Sequence, residues 1–176
     1  MTDFLTDVQS LRDRARANLM SGPVTASYGT DVQRVLELLN TALATETVCV
    51  LRYRQHHFTA KGLDSDPVAD EFMEHSNEEQ EHADKLSRRI VQLGGSPLLD
   101  PTHLTGRSHS QYVTASSLKE MIRENLIAER IAIASYTEMI NWIGGADPTT
   151  RRVLESILAK EEEHADDMLT FLEPQD

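Results

Sequence analysis

The chain has a single cysteine in 176 residues, few aromatics, few prolines and glycines, and no surplus of positive charge. Each shortage excludes something. A lone Cys49 rules out an internal disulfide and a metal site of four thiolates, and makes a reducing, cytoplasmic setting the default expectation. Aromatics are 5% of the chain against 39% for all hydrophobic residues, so the core must be largely aliphatic. The 6 Pro and 8 Gly fall in clusters, which leaves long stretches free of helix breakers. A net charge of −12 argues against a nucleic-acid surface and makes DNA binding an unlikely partner activity, while it favours attraction of cations. No apolar run approaches the roughly 18 residues of a membrane span. The N-terminus lacks the apolar run behind a basic start that marks a signal peptide.

What remains is helical periodicity. From about Asp3 to Met20, Phe4, Leu5, Val8, Leu11, Ala15 and Leu19 recur at helical spacing until Ser21-Gly22-Pro23. Arg12, Arg14 and Arg16 alternate there with Asp3, Asp7 and Asp13, which suits a solvated or subunit-contacting face better than a DNA-binding arm. A second helix is expected from about Asp31 to Ala60, with Thr30 or Asp31 as N-cap and Lys61-Gly62 as its stop. A third opens at Ser65-Asp66-Pro67, with Pro at its first position, and runs to Leu93 before Gly94-Gly95. Ser117 and Glu120 form a capping box for a fourth, ending at Ile143. Asp147-Pro148 starts the last, which runs to about Leu172. Residues 94–116 show no sustained helical period. A crossover of that length can traverse a bundle and let the helices on either side of it run parallel. The expectation is an all-α protein: residues 1–30 as an extension with a short helix, and 31–176 as a four-helix bundle with one long crossover.

Four glutamates interrupt the apolar stripes of these helices. Two belong to copies of Glu-x-x-His, Glu79 with His82 and Glu161 with His164; the others, Glu46 and Glu129, stand alone on their helices. Residues three apart share a helix face, so each pair can present a carboxylate and an imidazole to one ion. The spacing repeats: Glu46 to Glu79 is 33 residues, Glu129 to Glu161 is 32, and Tyr53 and Tyr136 each follow the lone Glu of their half by seven. The halves are related as by a pseudo-two-fold axis. Four buried carboxylates would be costly as bare charges, and no Lys or Arg occupies the same stripes. Two divalent ions cancel four carboxylates, and neutral His82 and His164 add nothing. Oxygen-rich ligation with one nitrogen per ion suits Fe or Mn better than a closed structural zinc site, with Mn or Zn as substitutes for Fe. Spacing does not decide which carboxylates bridge. Among the rest, Cys49 is expected as a small buried hydrophobe, and His75 beside the site or on the surface rather than as a ligand. His56, His57, His103 and His109 are expected to face solvent, with metal entry or exit as their other use. Tyr53 suits electron donation, a hydrogen bond to a ligand, or core packing; Trp142 suits the core or an interface.

A Glu from each of two helices and a Glu-x-x-His from each of the other two is the ligand pattern of ferritin-like di-iron bundles. Over residues 31–172 the chain resembles bacterioferritin, with Glu46, Glu79, His82, Glu129, Glu161 and His164 matching its dinuclear ligands and Tyr53 its nearby tyrosine. The resemblance implies a ferroxidase that takes two Fe(II) per subunit, passes electrons to O₂ or H₂O₂, and stores Fe(III) as mineral in a homo-oligomeric shell. Gln80 stands where bacterioferritins carry a haem-ligating Met, which argues against haem at that point. Only twelve residues follow His164, too few for the fifth helix of 24-subunit cages, so twelve subunits are expected, as in Dps-like proteins. Starvation-type Dps proteins place their iron site between subunits, whereas this chain carries a full ligand set. A rubrerythrin-like peroxidase would show a Glu where Ala132 stands and a Cys-x-x-Cys domain. A di-iron oxygenase acting on an organic substrate is the other alternative and would need an apolar channel.

Overall fold

A computed structural model describes residues 7–25, 27–62 and 65–173. These residues are helical and contain no strand. The first helix, α1, spans Val8–Ala17 with Asp7 as N-cap, followed by a 3₁₀ turn at Leu19–Ser21. Phe4 and Leu5, expected on its stripe, lie outside the described residues. The four long helices are α2 (Val32–Thr59), α3 (Ser65–Gln92), α5 (Leu118–Ile143) and α6 (Pro148–Thr170), with a short α4 (Pro101–Arg107) in the crossover.

Local chemistry sets the helix ends. The Asp31 carboxylate accepts from the amides of Gln33 and Arg34 and opens α2. Ser117 and Glu120 close the expected capping box on α5, and Asp147 caps α6 ahead of Pro148. Because α3 begins at Ser65, Pro67 falls inside its first turn, where its missing N–H still costs nothing. Gly144 ends α5 at φ +52°, a left-handed conformation that side chains with a Cβ avoid.

The four long helices enclose two apolar layers. One joins Val35, Leu39 and Leu43 of α2 to Leu86 and Ile90 of α3, Tyr136, Met139 and Ile143 of α5, and Leu154 and Ile157 of α6. The other joins Cys49 and Tyr53 to Phe72, Met121, Ile122 and Met168. The start of α2 therefore meets the ends of α3 and α5 and the start of α6, so α3 and α5 run parallel, as the long crossover permits. Burying an aliphatic side chain such as Leu39 or Ile157 contributes about 1.5–3 kcal/mol.

The crossover differs from expectation in holding α4, whose Leu104 packs on Ala44 and Val48 of α2. It lies along α2 and is held there by side chains of that helix. Asn40 accepts from the Leu98 amide at 2.8 Å, and Thr45 Oγ1 accepts from the His109 amide at 3.0 Å. Farther on, Arg52 donates to the Gln111 carbonyl at 3.1 Å and His56 Nε2 to the Val113 carbonyl at 2.9 Å. His56 is thus fully buried, against the expectation of a solvent-facing residue, because the crossover covers it. At the other end of the bundle the Arg89 guanidinium is buried against Asp147, 3.0 Å from both carboxylate oxygens, and Tyr28 donates to the same carboxylate at 2.5 Å. No described helix is long and apolar enough to cross a membrane.

Candidate metal centre

The six side chains picked out by spacing converge between the two apolar layers. Glu46 comes from α2, Glu79 and His82 from α3, Glu129 from α5, and Glu161 and His164 from α6; none is more than 2% exposed. They form two groups of four. Atoms of Glu46, Glu79, His82 and Glu161 all lie within 4.8 Å of one another, and so do atoms of Glu79, Glu129, Glu161 and His164. Glu79 and Glu161 belong to both groups, a distinction that the symmetric spacing does not make. His82 Nδ1 is 2.9 Å from Glu161, 3.1 Å from Glu79 and 3.3 Å from Glu46. His164 Nδ1 is 3.4 Å from Glu79.

An outer ring holds these groups in place. Tyr136 donates to Glu46 Oε1 at 2.5 Å, and Tyr53 donates to Glu129 Oε1. In each case the second oxygen, Glu46 Oε2 and Glu129 Oε2, is buried without a hydrogen-bond partner, as are Glu79 Oε1, Glu161 Oε1 and His164 Nδ1. A buried acceptor left unpaired costs about 1–3 kcal/mol. Five such atoms, from five of the six residues, face a common centre. A pair of divalent cations would satisfy them, and four carboxylates with two imidazoles fit iron or manganese. His164 turns Nδ1 inward because Nε2 donates to Glu78 at 2.7 Å. Lys160 in turn holds Glu78 at 3.1 Å and Glu163 at 2.5 Å.

Protons balance the charge when cations do not. Burial, reinforced by the charge of Glu79, pushes Glu46 up to about 8. Burial also pushes Glu161 well above the usual carboxylate range and raises Glu129. Burial would raise Glu79 too, but the imidazoles of His164 and His82 outweigh it and hold Glu79 well below its ordinary value. For His82 burial works downward, yet the neighbouring carboxylates of Glu46 and Glu79 bring it to about 9. His164 reaches about 9 in the same way, through Glu79.

Other expectations fared differently. Cys49 is buried. Tyr53 bonds a carboxylate of the centre. His103 and His109 are exposed, whereas His57 is half-buried and bonds the Ala69 carbonyl at 2.7 Å. Trp142 is 47% exposed and so not in the core. Arg52, off the stripe and one residue from Tyr53, is buried, and its bonds go to Asn125, Gln111 and Cys49 rather than to the carboxylates. Sequence reasoning missed the parts played by Tyr136, Glu78 and Lys160. Tyr136 had a signal, since it repeats the position of Tyr53. Glu78 and Lys160 had none, because both lie off the apolar stripes.

The ferritin-like domain family matches residues 36–174. The chain is 32% identical over 145 residues to a bacterioferritin of Brucella melitensis, covering 81% of this chain and 82% of that one. It is 30% identical over 152 residues to a nutrient stress-induced DNA-binding protein of Synechococcus, covering 80% and 82%. Among solved structures it is similar to a dodecameric thioferritin, the bacterioferritin-related protein from Bacteroides fragilis. That likeness has 33% identity and a TM-score of 0.79, covering 82% of this chain and 87% of that one. With its bundle, its buried carboxylate centre and these relatives, the chain belongs to the ferritin-like family.

Proposed function

We propose that the protein is a ferroxidase and iron store: it oxidises Fe(II) at the six-residue centre and holds the Fe(III) as mineral inside a homo-oligomeric cage. The observation that carries this reading is the set of unpaired, buried ligand atoms of Glu46, Glu79, Glu129, Glu161 and His164 aimed at one another. Two Fe(II) are the substrate. Glu46 and His82 would hold one and Glu129 and His164 the other, with Glu79 and Glu161, which belong to both groups, available to either. Each pair of Fe(II) gives up two electrons. These reduce O₂ with two protons to H₂O₂, or H₂O₂ with two protons to two waters. Tyr136 and Tyr53 fix one oxygen each of Glu46 and Glu129, so that the other stays turned toward the metal. Glu78 fixes His164 in the same sense.

The dodecameric relative supports a shell of twelve subunits, which at 19.8 kDa each would have a mass of about 240 kDa. Cytoplasmic residence goes with this reading. Some relatives are named for DNA binding or DNA protection. A net charge of −12 favours storage without DNA coating, and a gel-shift titration at low salt, where electrostatic binding is strongest, separates the two.

The central test is stopped-flow oxidation of Fe(II) by Glu46→Ala and His164→Ala. Both variants should lose rapid oxidation and keep their helical circular dichroism. Undiminished oxidation in both would remove the assigned centre. Native mass spectrometry of the iron-loaded protein tests the shell, since a monomer or dimer would favour the di-iron oxygenase or peroxidase reading.

A further inference from the structure

One turn away from the centre, a second set of ligand-type side chains meets. Glu71 and His75 lie four apart on α3, and Asp167 lies three residues beyond His164 on α6; their ligand atoms fall within 4.8 Å of one another. His75 Nε2 is 3.2 Å from Glu71 Oε1 and 3.5 Å from Asp167 Oδ2. We propose that Glu71, His75 and Asp167 form a third divalent-cation site, through which cations pass to the dinuclear centre.

The hydrogen bonds around His75 settle which ring nitrogen is free. Tyr53 has one hydroxyl proton and gives it to Glu129. The Tyr53 oxygen can then only accept from His75 Nδ1, 3.2 Å away, so the ring proton sits on Nδ1. Nε2 is left with a lone pair directed at two carboxylate oxygens. Three electron-rich atoms at this range repel unless a cation or a proton lies among them. The arrangement matches metal-bound histidines generally, in which the far ring N–H is anchored by a hydrogen bond. One nitrogen with two carboxylates suits a divalent transition metal.

Exposure gives the site a direction. The Asp167 side chain is 49% exposed and Glu71 29%, whereas His75 is 1% exposed. Behind His75 its ring stacks on His164, with ring centres 3.9 Å apart. The cluster thus runs from solvent to a side chain of the dinuclear centre.

It is also absent from the other half of the repeat. An offset of 82 residues carries Glu79 to Glu161 and His82 to His164. The same offset carries Glu71 to Val153 and His75 to Ile157, and it brings Lys85 to Asp167. The matching position behind His82 is therefore filled by aliphatic side chains and a lysine, with Ile157 fully buried. Fold symmetry does not require a polar path, and only one half has it.

Cation binding here stands on its own residues; passage to the centre rests on the function proposed above. Crystals of the full-length protein grown with Zn(II) test both through anomalous difference maps at the zinc edge. In wild type a peak is expected about 2.0–2.1 Å from His75 Nε2, in addition to those at the six-residue centre. In E71Q/D167N that peak alone should vanish, the remaining peaks showing that the variant is folded. Peaks at the centre with none at His75 in wild type would overturn the third site and leave the centre standing. A peak at His75 with none at the centre would do the reverse. Passage predicts that E71Q/D167N lowers the initial rate of oxidation at sub-saturating Fe(II) by about tenfold, with recovery at saturating Fe(II). An unchanged initial rate would overturn passage.

Discussion

Loading the six-residue centre with metal should expel protons in a number that its side chains set. The surrounding carboxylates hold His82 and His164 up to about 9, and burial pushes Glu46 up to about 8 and Glu161 well above the carboxylate range. At pH 7 both imidazoles are almost fully protonated and Glu46 about nine-tenths so. Burial favours the proton on Glu161 as well, whereas the imidazoles of His164 and His82 hold Glu79 well below its ordinary value. Two divalent ions bound to four carboxylates and two neutral imidazoles would make the buried cluster neutral. Two cations should therefore displace about three protons per subunit from His82, His164 and Glu46, with Glu161 adding to that number. The direction follows: acid favours the protonated ligands and weakens metal binding. Near pH 7 the overall two-ion binding constant should change by roughly three powers of ten or more per pH unit, flattening above about pH 9. Zn(II), which does not change oxidation state, is the suitable probe. Isothermal titration calorimetry at one pH in buffers of different ionisation enthalpy gives the proton count directly. Release of fewer than two protons, or an affinity independent of pH between about 6 and 8, would refute the reasoning.

The Asp147 latch gives an acid-stability prediction. Burial would raise this carboxyl, but bonds from Thr150, Tyr28 and Arg89 outweigh it and hold it down to about 2, from an ordinary 3.8. A depressed carboxyl stabilises the fold above its unfolded value, so the contribution is present above about pH 4 and lost as pH falls toward 2. It amounts to about 1–2 kcal/mol once solvent screening is allowed for. Asp147→Asn should remove that part of the acid transition in urea denaturation at stepped pH, and an unaltered acid limb would contradict it. Tyr136→Phe strips Glu46 Oε1 of its donor and should cost about 1–3 kcal/mol of stability, read as a lower urea midpoint. It should also slow Fe(II) oxidation. Gly144→Ala places a Cβ at φ +52° and should destabilise by about 1 kcal/mol, seen as a lower melting temperature.

The helices were legible because their caps are chemical. Asp31, Ser117 with Glu120, and Asp147-Pro148 each mark a start that the structure reproduces within a residue. The six-residue centre was legible because charge at a core-facing position conflicts with its surroundings and so stands out. What stayed hidden depends on tertiary placement. Helix α4 is seven residues long, too short for a period, with Asp100 capping it ahead of Pro101. Asn40, Arg52 and His56 look like surface residues until the crossover is laid over them. The shared position of Glu79 and Glu161 required coordinates, since both halves present the same Glu-x-x-His. Likewise the side chain of Asp167 meets His75 only because α3 and α6 pack together.

The strap across α2 limits how far the chain can be treated as two copies of one hairpin. The first hairpin carries Asn40, Thr45, Arg52 and His56, whose bonding groups are answered by the backbone at 96–113. Two copies of that hairpin joined by a short linker would leave these groups open to water and the crossover's contacts unmade, although all six residues of the centre could be present. The internal symmetry is therefore one of ligands and not of halves, and neither half can stand in for the other.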